Sequence, residues 1–198
     1  MSNAVQDTPT TEATENVVSA GGVPHRKWFA AVVKRNTEKA CREKLQELGY
    51  ESYVATQEET RVWRNGERRK VERVIISTII FVRATEQERI HTLKLGFINR
   101  YLTNKALPAN DLGRHPIATI PDDQMQQLQF MLYNADAPVN FADTPLRLGD
   151  RVRITRGSLT GLEGNIIRNA STHYIVVNID FLGSAMVNIS LGDIERIV

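Results

Sequence analysis

Leu148-Gly149-Asp150-Arg151-Val152-Arg153-Ile154-Thr155-Arg156-Gly157-Ser158-Leu159-Thr160-Gly161-Leu162-Glu163-Gly164-Asn165-Ile166-Ile167 decides how the last quarter of this chain is read. Gly149-Asp150 turns into a strand whose Val152 and Ile154 point one way, while Arg151, Arg153 and Thr155 point the other. Gly157 and Gly161 supply a tight loop. Gly164 provides either a positive φ or a close backbone approach as the next strand begins. Periodicity alone makes the stretch one hairpin of a small barrel. Five short apolar runs separated by turn residues, at 151–155, 162–167, 174–179, 185–189 and 194–198, fill out that antiparallel barrel.

Upstream the pattern changes. Between about 133 and 146, Asn134, Asp136, Pro138, Asn140, Asp143 and Pro145 interrupt all periodicity and mark a linker. Before it, Pro121 suits the first turn of a helix that puts Met125, Leu128 and Leu132 on one face. Lys27-Trp28-Phe29-Ala30-Ala31-Val32-Val33 reads as a buried strand, and Asn36 or Thr37 caps the helix that follows. That helix carries Ala40, Cys41, Leu45 and Leu48 on one stripe and stops at Gly49. A second strand spans 50–56. Asn65-Gly66 between extended runs signals a hairpin, and 74–83 is the clearest strand in the chain. Thr85-Glu86-Gln87-Glu88 is a capping box opening a short helix with Ile90 and Leu93, and 97–102 is a further strand. The fold class is therefore α+β: a mixed α/β sandwich domain over 26–133, a linker over 134–146, and an all-β barrel over 147–198.

Composition narrows the function. Residues 1–25 are polar and aperiodic, too poor in apolar surface to offset the entropy of ordering, so they read as a disordered tail. The net charge of +2 is uneven, because Asp7, Glu12 and Glu15 meet no Lys or Arg before His25. No apolar run approaches a membrane span, and no basic-then-apolar leader opens the chain. The single Cys41 excludes an internal disulfide framework and fits a reducing cytoplasm. His25, His91, His115 and His173 are scattered without ligand spacing, so no metal or other cofactor is expected. Gly157, Gly161 and Gly164 lack the Lys-Ser/Thr of a phosphate loop, and Cys41 on an apolar stripe is a core thiol. No enzyme is expected.

The run 148–167 also resembles a KOW motif, through Gly149, Asp150, Val152, Gly157, Gly161 and Gly164. The strand at Trp28, the helix ending Leu48-Gly49, the basic hairpin, and Glu72-Arg73 leading into Ile80-Phe81-Val82-Arg83 resemble, in order and spacing, the N-terminal domain of the NusG family of transcription elongation factors. The resemblance covers about 26–198. It implies a factor, monomeric in most relatives, that binds the clamp helices of RNA polymerase through an N-terminal domain and joins a second partner through an SH3-like barrel. The polymerase-binding residues it implies are Trp28, Phe29, Ile76, Ser77, Thr78 and Ile79. Here Ile76-Ser77-Thr78-Ile79 replaces the family's usual aromatic-Pro-Gly-Tyr segment. That departure makes the chain similar to UpxY-type antiterminators of surface-polysaccharide operons. A general NusG factor and a ribosome-associated KOW protein binding RNA are the alternatives.

Arg61, Arg64, Arg68, Arg69, Lys70 and Arg73 against Glu67 and Glu72 give the hairpin a local charge of +4. Such a ribbon is either a solvated hairpin or a phosphate-tracking surface with Trp63 as a stacking ring. The resemblance implies the second, with non-template or upstream DNA as the ligand. Phe181-Leu182-Gly183 lies between two barrel strands, where a turn aromatic packs locally; the resemblance implies instead that, with Leu162, it meets a ribosomal protein or the termination factor Rho. Asp180 and Leu182 depart from the family's Ile-Phe-Gly there.

Overall fold

The structure, a computed structural model, describes residues 25–143, 149–169 and 171–197. The expected tail, up to residue 24, and the 144–148 part of the expected linker lie outside the described residues.

The N-terminal half is built on a four-stranded antiparallel sheet ordered β2 (Glu51–Tyr53), β5 (Ile79–Ala84), β1 (Lys27–Val33) and β6 (Ile98–Tyr101). Its residues are apolar on both sides, so the pleat sends alternate side chains into two separate cores. Phe29, Ala31, Val33, Ile80 and Val82 face α1 (Glu38–Glu47) and α2 (Glu86–Leu93), joining Cys41 and Leu45. Trp28, Ala30, Ile79 and Phe81 face the other way, toward Met125, Leu128, Met131 and Leu132 of α3 (Asp122–Asn134).

Local chemistry accounts for the helix boundaries. Gly49, with φ of 81°, ends α1 in the left-handed conformation that costs glycine nothing. Thr85 accepts from the Glu88 amide at 3.2 Å while Glu88 accepts from the Thr85 amide at 2.8 Å, the reciprocal box that starts α2. Thr37 stands at the N-cap of α1, yet its hydroxyl donates to the Lys34 carbonyl and accepts from the Cys41 thiol at 3.6 Å instead of from a helix amide.

In α2 Ile90 and Leu93 are exposed, and the buried positions are Arg89 and Thr92. The Arg89 guanidinium stacks near Tyr101 and Phe29, at 5.3 and 6.0 Å from the ring centroids, and pairs with Glu86. Thr92 shares a 2.7 Å hydrogen bond with the Tyr101 hydroxyl. Satisfied polar groups hold this stripe.

β3 (Thr56–Val62) and β4 (Arg68–Val74) form a separate two-stranded ribbon turning at Asn65-Gly66. The C-terminal part is an antiparallel sheet ordered β12 (Ile194–Arg196), β8 (Arg151–Ile154), β9 (Glu163–Asn169), β10 (Thr172–Ile179), β11 (Gly183–Ile189) and β7 (Asn140–Ala142). The first of these to appear in the chain corrects the sequence reading. Residues 140–142, expected in the linker, are a strand paired with Ser184–Met186. Gly183 makes this pairing feasible, because a side chain there would collide with the Ala142 carbonyl. Gly164 resolves as a close approach: a Cβ would stand 2.5 Å from the Val176 oxygen. α3 lies between the two sheets, touching β1 and β3 on one side and β10 on the other. A single apolar cluster consequently runs from Trp28 through Leu128 to Ile175 and Val187.

Candidate nucleic-acid interface

The ribbon begins anchored and ends free. Near its base, Glu72 receives Lys39 of α1 at 2.8 Å and lies 3.7 Å from Arg42, and the Lys39 hydrogen bond holds its carboxyl below the usual range. Burial, reinforced by Glu72, pushes the neighbouring Tyr53 hydroxyl up to about 12. Beyond this base every residue from Thr60 to Lys70 is exposed.

Strand geometry distributes the six cations. With Gln57 opposite Arg73, Glu59 opposite Val71 and Arg61 opposite Arg69, one face carries Arg61, Arg69 and Arg73. The opposite face carries Lys70 and Arg68, across from Thr60 and Val62. Arg64 stands at the turn. The expected single track is therefore two-sided, as period two requires. Acidic neighbours also temper it: Arg61 and Arg73 pair with Glu59, Arg69 with Glu67, and Lys70 with Glu58. Among the described residues Arg64 and Arg68 have no such partner. Arg69 also sits 5.6 Å from the centroid of Trp63, which is 54% exposed. A cation, a planar ring and two unpaired guanidiniums at the end of a stiff ribbon can meet phosphates and a base together.

The six residues expected at a polymerase contact do not form one surface. Phe29 points into the α1–α2 core, because its neighbour Trp28 takes the opposite side of the same strand. Trp28, Ile76 and Ile79 do come together, but buried, in the cluster that α3 covers. Ser77 is exposed and Thr78 half-buried. Thr78 has φ of 65°, a strained value for a β-branched residue, and stands where the family's segment has glycine. Its amide donates at 2.7 Å to Glu38, a buried carboxylate in the first turn of α1, and its carbonyl accepts from Val33. These two hydrogen bonds hold Thr78 in its left-handed conformation. Thr78→Gly is expected to raise stability by about 1 kcal/mol by removing the left-handed penalty. Urea unfolding of the two chains checks this, and an unchanged or lower midpoint would contradict it.

In the C-terminal sheet Gly157 and Gly161 have φ of 87° and 92° and form the expected loop. Leu162 is buried, whereas Phe181, at φ of 67°, is 46% exposed. A bulky residue in that conformation is strained by about 1–3 kcal/mol. The preceding Asp180 amide donates to Gln124 of α3 at 2.9 Å, tying this hairpin tip to the helix.

The described residues hold no group of three His, Cys, Asp or Glu side chains placed to bind a metal, and no helix among them is long and apolar enough to cross a membrane. What the molecule presents is an exposed cationic ribbon on a mixed α/β body. A family model described as "Transcription termination factor nusG" matches residues 26–129, over half the chain, and the chain belongs to the NusG family of transcription factors. No curated protein sequence matches it. Among solved structures it is similar to one titled "Domain interaction in Thermotoga maritima NusG", at 15% identity and a TM-score of 0.45, covering 87% of this chain and 98% of that one. Another, titled "Crystal Structure of MjSpt4:Spt5 complex conformation B", is 11% identical with a TM-score of 0.28, covering 86% of this chain and 96% of that one.

Proposed function

We propose that this chain is a cytoplasmic transcription elongation and antitermination factor. It binds RNA polymerase and raises its processivity at a restricted set of operons, of the kind that encode surface polysaccharides. Family membership supports the general role, and the aliphatic Ile76-Ser77-Thr78-Ile79 turn supports the specialisation. The single observation that carries the reading is the ribbon, whose unpaired Arg64 and Arg68 and exposed Trp63 project from a NusG-family body. In this reading residues 26–133 dock on polymerase, the ribbon holds upstream or non-template DNA, and 147–198 form an SH3-like KOW barrel. Phe181, strained and exposed, would offer the barrel's contact to a protein partner such as a ribosomal protein or Rho.

With Trp28, Ile76 and Ile79 under α3, the open part of the polymerase turn is Ser77 beside the half-buried Ile75 and Thr78. Ser77→Glu is expected to weaken binding of the full chain to purified bacterial core polymerase by about tenfold, a loss of about 1.4 kcal/mol, while leaving the fold intact. Equal binding by both chains would move the docking site away from this turn. Failure of the unmodified chain to bind would overturn the elongation-factor reading.

A further inference from the structure

The base of the ribbon is tied to the segment that leads into the C-terminal sheet. Gln57, nearly buried, donates through Nε2 to the Ala135 carbonyl at 3.3 Å and the Ala137 carbonyl at 2.9 Å. Its Oε1 accepts from the Val139 amide at 2.9 Å. Directly across the ribbon, Arg73 Nη2 donates to the Val139 carbonyl at 3.0 Å. Two side chains of the ribbon thus bond main-chain groups at alternate residues 135, 137 and 139, as a neighbouring strand would. Val139 is fully buried, and one residue later the chain enters β7 and pairs with β11. The latch therefore routes the C-terminal sheet's first strand.

Gln57 and Arg73 lie on the same ribbon face as Arg61 and Arg69. The groove between that face and the segment is lined by Arg61, Thr60 and Glu59 on one side and Asp136 and Ala137 on the other. The seated segment thus uses a donor of Arg73 and lines the same groove as Arg61. A phosphate chain laid along this face would compete for that donor.

From this we infer that polyanion binding on the Arg61–Arg69–Arg73 face and seating of residues 135–139 on Gln57 and Arg73 are mutually antagonistic, so that the ribbon's ligand releases the first strand of the C-terminal sheet. The inference rests on the ribbon reading proposed above and adds its regulation. By linkage, whatever factor unseating contributes to polyanion affinity, the polyanion must return as a factor of unseating.

The test uses the full chain and a labelled single-stranded DNA of about twenty nucleotides, long enough to span one ssDNA-binding module's site. Amide exchange at Val139 reports seating and fluorescence anisotropy reports affinity. Gln57→Ala should speed Val139 exchange and tighten DNA binding by about tenfold, because less of the chain is held in the blocked state. Saturating DNA on the unmodified chain should speed Val139 exchange by the same factor, a measurement that needs no variant. Arg68→Ala, on the opposite face, should weaken DNA binding and leave Val139 exchange alone. Faster exchange in Gln57→Ala with unchanged or weaker DNA affinity would overturn the coupling while leaving the ribbon as a DNA site. Absence of DNA binding by the unmodified chain would overturn both, and polymerase binding would then stand alone.

Discussion

Leu128→Ala is expected to cost about 2–5 kcal/mol of stability, the range for removing a buried leucine from a packed core. Leu128 has no exposed surface and belongs to the one apolar cluster that runs through both sheets. α3 touches β1 and β3 on one side and β10 on the other, so relaxing either wall to fill the cavity strains the other. The same helix holds the hairpin tip through Gln124 and the Asp180 amide, which gives the loss a second route to the C-terminal sheet. Denaturant unfolding followed through buried Trp28 should show the midpoint falling. A loss below about 1 kcal/mol would mean α3 is not packed between the sheets, since surface changes stay within about half that value.

The second large effect concerns the ribbon. Replacing Arg64 and Arg68 together by glutamate is expected to weaken binding to single-stranded DNA by about a hundredfold at moderate salt, as two phosphate contacts are lost and two repulsions introduced. Neither arginine has a described carboxylate partner, so their replacement removes no internal ion pair. The turn itself is held by other bonds: Trp63 donates to the Glu67 carbonyl and Gly66 to the Trp63 carbonyl, both at 2.9 Å. Folding should be unaffected. The slope of log affinity against log salt should become shallower by about 1.4, the contribution of two phosphate contacts on a single strand. An unchanged slope would show that these arginines do not meet phosphates, and the ribbon would then be a solvated hairpin.

Much of this was legible before any coordinates. The Asn65-Gly66 hairpin, the Thr85–Glu88 box and the five C-terminal strands follow from turn chemistry and period two, which are local. The same periodicity could also have shown that Trp28 and Phe29 take opposite faces, and that the ribbon's cations divide between two. The buried stripe of α2 is polar because rings from β1 and β6 cover the Arg89 guanidinium, a contact with no local signal.

Other features had no local signal. Asn140-Phe141-Ala142 is three residues among turn formers, and it becomes a strand only because β11 offers an edge and Gly183 leaves room. Gln57 is one polar residue among many until residues 135–139, some eighty positions later, arrive against it. By itself the sequence determined most of the helices and strands and the charge of the ribbon, because turns, caps and alternation are written within a few residues. Only the tertiary structure decided that the apolar turn at Ile76 lies beneath α3, that the ribbon's base holds the connecting segment, and that one core joins the two sheets. Those outcomes depend on contacts between distant residues, whose burial and hydrogen bonds exist only once the chain has closed on itself.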